Sequence, residues 1–453
     1  MKYLKNRLKY LFSLSLVKDS IKLSSSNVLL FFIPLIVTPI LSRIYTPYDY
    51  GELGIFTSIY IIINYIIFLS YDNAIIQTNS RSEIPNLIIL CIIIAFVIIS
   101  LISFTFYVGN KLQLDFFSIY PRYDLLIIFL IFSTILNLAT AIANRFELFT
   151  AMSISNISNG LFQATLRVAF GVIIIFKNGL ILGTVIANMF AAIILLLLII
   201  PILKKISWDK ISFLKIIELL KRYKKFPLYD APSNLLNFSV GQLTIIILTF
   251  YYSTQDIGCF SMITQFVLLP VSFIGSAISK VYYRKISSLG DNINELRIIT
   301  LQVSKIIALM CLLPALFLIL GGDKMIIWFL GDRWASAGNI ALCLSIISIP
   351  IILTEALLPI YRSLNLQNIR FKYDLYCFIL SLGALLIFCN LTHNILFPII
   401  IYSLIFGLIR FVMFFNILKT LNLIINDISK LLLPGIVLCY IGVFVRLCLK
   451  FYN

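Results

Sequence analysis

Charge is what this chain most lacks. Asp, Glu, Lys and Arg together make up 12% of its 453 residues, about half the roughly 25% of an ordinary soluble chain. A soluble globule with so little charge could not clothe its own surface, so the soluble classes fall away. Histidine is nearly absent: His393 stands alone, which excludes His-based catalysis and His-rich metal sites. The eight cysteines form no CxxC pair and mostly sit inside apolar runs, where they behave as small hydrophobes. There is no P-loop, no GxSxG and no paired-carboxylate catalytic domain. The composition excludes disorder, collagen and disulfide scaffolds as well.

What is present is apolar: 61% of residues are hydrophobic and the mean hydropathy is +1.03. The apolar runs are continuous rather than alternating, which excludes a transmembrane barrel. A helix needs about 20 apolar residues to cross the hydrocarbon core. Such windows fall near 23–43, 51–71, 85–108, 124–143, 154–176 and 180–203, then near 229–252, 257–279, 298–320, 337–359, 373–390 and 395–418. A further apolar stretch at 431–449 is a candidate thirteenth span, with the side of the C-terminus left open. The expectation is an all-α polytopic membrane protein with twelve core helices.

The net charge is +17, yet the basic residues are scattered through short loops, with no aromatic-basic interleaving and no nucleic-acid motif. Their distribution is topogenic. Twenty-five Lys and Arg fall on the side of the N-terminus, from Lys2 to Lys430, and six on the other: Arg43, Lys111, Arg122, Lys177, Lys324 and Arg333. This asymmetry places the N-terminus in the cytoplasm. Residues 1–22 read as a basic amphipathic segment on the cytoplasmic leaflet; Lys18, Asp19 and Lys22 interrupt any signal-peptide core. Lys204 to Lys225 has the same character, with Ile211, Leu214, Ile217 and Leu220 at helical spacing among lysines. The domains expected are therefore 1–22, a six-helix lobe 23–203, a basic linker helix 204–228, a second lobe 229–420 and a C-terminal segment 421–453.

The two halves resemble each other. Ser233-Asn234 follows Ser26-Asn27 by 207 residues, and at that offset positions 26–51 contain nine identities, among them Tyr45/Tyr252, Asp49/Asp256 and Gly51/Gly258. Each copy reads as a span, a turn with the pattern Y-(S/T)-x-x-D-x-G, and another span. Six spans per half bring both copies in from the same side. Such a parallel repeat gives a pseudo-two-fold axis along the membrane normal, with substrate between halves that alternate their access.

Polar residues inside spans are expensive and so face protein or water. Asn156, Asn159, Gln163 and Arg167 are spaced 3, 4 and 4 along the fifth span, on one helical face. They are the leading candidates for a cavity lining, the alternative being an interhelical hydrogen-bond network. Lys305 and Arg410 are two further cations within apolar runs; snorkelling or pairing with an acid is the alternative for each. A positive mid-membrane sign suits an anionic substrate. Asp72, Asp230 and Glu355, near helix ends, are candidates for H⁺ or Na⁺ coupling, against a reading as ordinary solvated carboxylates. No catalytic residue, metal site or other cofactor is indicated.

The run L-S-R-I-Y-T-P-Y-D-Y-G-E-L-G (Leu41 to Gly54), with S-Y-D-N-A-I-I (Ser70 to Ile76), resembles the start of the bacterial polysaccharide transporter family. That family holds the O-antigen and capsule lipid-oligosaccharide flippases of the multidrug/oligosaccharidyl-lipid/polysaccharide exporter superfamily. K-F-P-L-Y-D-A-P-S-N-L-L-N (Lys225 to Asn237), D-I-G-C-F-S-M (Asp256 to Met262), L-P-V-S-F-I-G-S-A-I-S-K-V-Y-Y-R (Leu269 to Arg284) and F-L-G-D-R-W-A-S-A-G (Phe329 to Gly338) agree with it. The resemblance implies two six-helix lobes around a cationic cavity in the bacterial inner membrane. It implies a polyprenyl-pyrophosphate-linked oligosaccharide as substrate, membrane lipid as surroundings, and a polysaccharide polymerase and chain-length regulator as partners. Arg167, Lys305 and Arg410 are not carried over from the family. The rival readings are a multidrug exporter of the same superfamily, which would favour acidic cavity residues, and a membrane enzyme such as an O-antigen polymerase or acyltransferase, which would need a large external loop.

Overall fold

A computed structural model describes residues 32–78, 80–114, 123–173, 178–287, 293–317, 321–364, 366–421 and 423. The amphipathic segment expected at 1–22 and the thirteenth span expected at 431–449 lie outside the described residues. Among those described, every regular element is helical. In order these are α1 (Phe32–Ile44), α2 (Pro47–Ile66), α3 (Asp72–Gln77), α4 (Ile84–Lys111), α5 (Tyr123–Arg145), α6 (Phe149–Val172), α7 (Gly179–Leu203) and α8 (Phe213–Arg222). Then come α9 (Ala231–Tyr251), α10 (Thr254–Ser287), α11 (Ile293–Phe317), α12 (Asp323–Leu330), α13 (Ala335–Leu357), α14 (Pro359–Ser363), α15 (Gln367–Tyr376), α16 (Leu382–Leu391) and α17 (Leu396–Thr420). Short π segments at Phe226–Asp230 and Cys377–Ser381 lead into α9 and α16.

Among the described residues, six helical stretches are long and apolar enough to cross a bilayer: Ile84–Lys111, Tyr123–Arg145, Gly179–Leu203, Asp332–Tyr361, Asn368–Leu391 and Leu396–Thr420. The pair Phe226–Leu236 and Phe238–Tyr251, bent by 53°, makes a seventh if taken as one span. Helices α2, α6, α10 and α11 reach 20 to 34 residues as well. In lipid, helices are the only open solution, because every backbone N–H and C=O must find its partner within the segment.

The chain forms two compact units. One holds Phe56–Leu235 with the helix that ends at Ile44; the other holds Tyr45–Ile55 and the chain from Leu236 onward. In the first, α7 packs against α5 and α6 along a buried strip of Leu180, Ala187, Ala191 and Leu195. In the second, α13 is the central helix, packed on by α10, α11 and α17 and almost wholly buried. Its hydroxyls are satisfied within the helix: Ser345 donates to Leu342, Ser348 to Ser345 and Thr354 to Pro350. At the α13–α17 crossing Gly407 faces Pro350, whose ring would lie 3.5 Å from a β-carbon there. Without a hydrophobic drive between helices in lipid, close packing of small residues of this kind supplies the association.

Both copies of the repeated turn start a helix in the same way. At α2, Thr46 donates its backbone N–H (2.8 Å) and its hydroxyl (2.7 Å) to Asp49 Oδ2, and the Asp49 N–H returns to Thr46 Oγ1. At α10, Ser253 Oγ donates to Asp256 Oδ2 at 2.6 Å and accepts the Asp256 N–H at 3.2 Å. The first is a reciprocal capping box; the second makes the half in which the Ser253 hydroxyl takes the Asp256 N–H, and both satisfy amide groups a helix start leaves open. Within the second unit the two helix starts lie against each other. A β-carbon on Gly51 would fall on the Thr254 carbonyl oxygen, and one on Gly258 on the Pro47 carbonyl oxygen. Tyr50 also meets Trp334 edge to face at 5.3 Å. The glycines of the pattern are there because two backbones meet at that point.

The linker departs from the single helix expected over Lys204–Lys225. A 3₁₀ turn occupies Trp208–Lys210, and the helix is confined to Phe213–Arg222. The break is made by Asn86 at the start of α4, whose carboxamide donates to the Lys210 carbonyl (3.0 Å) and accepts the Ser212 N–H (2.9 Å). Both backbone groups are thereby taken from the helical ladder.

Candidate functional site

In the first unit, Asn156, Asn159, Gln163 and Arg167 project from one side of α6 and all are half-buried. The i, i+3 and i+4 rule places them in one row. Arg167 is seated on the neighbouring helix α7. Its Nε and Nη2 donate to Thr184 Oγ1 at 3.2 and 2.8 Å, and that hydroxyl donates onward to the Leu180 carbonyl at 2.7 Å. Gly183 makes the seat possible, since a β-carbon there would meet the Arg167 backbone N at 3.0 Å. Elsewhere in the unit Asn137 donates to Asn64 at 2.7 Å, Asn188 bonds to Ser133, and Ser155 donates to the Ala191 carbonyl at 2.9 Å.

In the second unit Arg410 is buried on α17 between two acids. Its Nη2 lies 3.7 Å from Asp374 Oδ1 on α15 and its Nη1 4.0 Å from Glu355 Oε1 on α13. The Phe406 ring stacks against the guanidinium carbon at 5.2 Å. Asp374 is shared with Arg370, whose Nε is 3.5 Å away. Of the two alternatives for Arg410, the geometry displays pairing with an acid. Asp374 is the partner that sequence reading did not single out; the i, i+4 spacing of Arg370 and Asp374 was the available signal. Lys305 stands exposed on α11 and is not part of this cluster.

The three carboxylates considered for ion coupling are in three settings. Asp230, at the end of the π segment, is exposed. Glu355 is half-buried and ion-paired. Asp72, in the connector between α2 and α4, is half-buried; burial raises its carboxyl pKa, against backbone N–H groups of Asp72 and Asn73 that lower it. Among the described residues no group of three His, Cys, Asp or Glu is placed to hold a metal ion.

The long apolar helices define a polytopic membrane protein, all-helical among the described residues. Solved structures agree on the fold. The lipid II flippase MurJ in an inward closed conformation is similar over 93% of this chain and 92% of its own, with a TM-score of 0.70 and 15% identity. An inward-facing multidrug resistance MATE family transporter of the MOP superfamily is similar over 88% and 95%, with a TM-score of 0.66 and 13% identity. A MOP superfamily transporter from Pyrococcus furiosus follows at 0.56 and 12% identity, over 89% and 96%. No curated protein sequence matches the chain. Residues 40–339 match the family described as polysaccharide biosynthesis protein, and the chain belongs to that family.

Proposed function

We propose that this protein is a flippase that carries polyprenyl-pyrophosphate-linked oligosaccharide, of O-antigen or capsular type, from the cytoplasmic to the outer leaflet of the bacterial inner membrane by alternating access. The observation that carries the reading is membership of the polysaccharide biosynthesis family over residues 40–339. Arg167 supports it: a guanidinium, charged at every relevant pH, stands in a row with three amide side chains that suit sugar hydroxyls. A cation in a low-dielectric cavity attracts a pyrophosphate far more strongly than it would in water. Arg410 contributes less than its position in the sequence suggests, because Asp374 and Glu355 already neutralise it. The protein acts in this reading as a carrier and not as an enzyme, and hands its cargo to a polysaccharide polymerase and chain-length regulator.

Replacing Arg167 tests the proposal. Arg167→Ala is expected to leave the protein inserted and abundant while surface polysaccharide is lost, and Arg167→Lys to retain part of it. Normal polysaccharide at normal protein level in Arg167→Ala would remove Arg167 from the site. The multidrug-exporter reading has the opposite signature: deleting the whole protein would raise sensitivity to cationic drugs and leave surface polysaccharide intact.

A further inference from the structure

The apolar residues that the periodicity of 204–225 picks out do not face the protein. On α8 the buried positions are Ile216 and Leu219, whereas Phe213 and Leu214 are 72% and 79% exposed and Ile217 and Leu220 are exposed beside them. Phe213, Ile217 and Leu220 form a strip at i, i+4 and i+7. An exposed apolar strip on so short a helix is expensive in water and asks for an occupant. The surroundings say which: residues 204–225 carry eight Lys and Arg against two acids, Asp209 and Glu218. Lys221, Lys224 and Lys225 are exposed and Lys215 is half-buried.

The position of α8 is fixed. Tyr71 donates to the Leu220 carbonyl at 3.0 Å. Arg222 donates to Glu83 Oε1 at 2.6 Å, while Thr78 donates to the other oxygen of the same buried carboxylate at 2.7 Å. With the Asn86 clamp, these contacts hold α8 at the first turn of α4. Helix α4 has 28 residues, hence a length of about 42 Å, more than the ~30 Å hydrocarbon core. Its ends therefore lie in the headgroup layer, and α8 is held there with them.

We propose that α8 and its flanking lysines are a docking surface for anionic phospholipid. Phe213, Leu214, Ile217 and Leu220 enter the edge of the acyl region, and Lys215, Lys221, Lys224 and Lys225 bind lipid phosphates. The contacts of Glu83, Asn86 and Tyr71 transmit that grip to α4 and the first unit. This assignment is independent of what the protein carries.

Hydrogen exchange on the full-length chain tests it, in nanodiscs of phosphatidylcholine alone and of phosphatidylcholine with phosphatidylglycerol. Backbone amides of 208–225 are expected to exchange more slowly with phosphatidylglycerol present, each basic residue at the surface contributing about fivefold in lipid partitioning. Lys215→Gln, Lys221→Gln, Lys224→Gln and Lys225→Gln together should abolish the difference between the discs, and the four Lys→Arg changes should keep it. Equal exchange of the native chain in both discs overturns the proposal whatever the variants do. So does protection that grows with protein concentration in phosphatidylcholine alone, which would assign the strip to a second copy of the chain.

Discussion

Arg410 and Asp374 lie 3.7 Å apart, on α17 and α15 of the same unit, and neither has an exposed side chain: the arginine is 8% and the aspartate 13% accessible. Removing Arg410 leaves Asp374 to Arg370 and takes the cation from half-buried Glu355, a loss of about 1–3 kcal/mol, short of the cost of a fully stranded buried charge. Arg410→Met is expected to lower unfolding stability by that order in detergent. The double change Arg410→Met, Glu355→Gln, which keeps the Arg370–Asp374 pair, should recover most of the loss. A single variant as stable as the native chain would mean that water reaches the cluster.

The glycines where the two helix starts meet make a second prediction. The atoms that a β-carbon would strike at Gly51 and Gly258 are backbone carbonyl oxygens, which cannot swing aside as a side chain would. Gly51→Ala and Gly258→Ala should each cost about 1–3 kcal/mol, read as lowered thermal midpoints. Gly241→Ala on α9, with nothing within 4 Å of its β-carbon, serves as control: it should be neutral or gain up to about 1 kcal/mol from helix propensity.

Asp72 gives a pH dependence. Burial favours its neutral carboxyl in the folded chain and raises its pKa above the ordinary value of 3.8. The folded state thus holds that proton to higher pH than the unfolded one. The stability it confers is present below the ordinary value and is lost as pH rises through the raised one. Asp72→Asn, which keeps an acceptor oxygen but no charge, should be the more stable protein at neutral pH. The advantage should shrink in mildly acidic buffer; a gain that is the same at every pH would exclude titration of Asp72 as its source.

Orientation can be read directly. Reporter fusions at Asn110 and Gly322 should report the outside of the cell and a fusion at Lys215 the cytoplasm, as the distribution of basic residues requires. A cytoplasmic signal at Asn110 would invert the topology.

The sequence made the helices legible because hydrocarbon imposes one rule everywhere: about 20 apolar residues with few charges. It did not reveal their faces. Helix α4 turns Phe96, Leu101 and Phe104 outward, while α13 is nearly all inside, since lipid and protein interior are equally apolar and hydropathy cannot tell them apart. At α8 helical spacing picked out Leu214, Ile217 and Leu220, which the protein leaves exposed, while Ile216 and Leu219, which it did not single out, are the ones buried. The row from Asn156 to Arg167 was visible because amides at spacings of 3 and 4 stand out in an apolar helix. Its seat was not, because Gly183 and Thr184 are ordinary residues until α6 lies against them. Asp374 was missed for a related reason: of its two partners, Arg410 is 36 residues away in sequence and meets it only in the folded unit.

The contact at the two helix starts is reciprocal. Pro47 and Thr254 are equivalent under the 207-residue repeat, as are Gly51 and Gly258. Gly51 meets Thr254, and Gly258 meets Pro47. Each element of the pair thus touches what the other touches, the reciprocity that identical subunits show about a two-fold axis. The two approaches are therefore one seam met from both sides, and a β-carbon at either glycine would push the same two backbones apart.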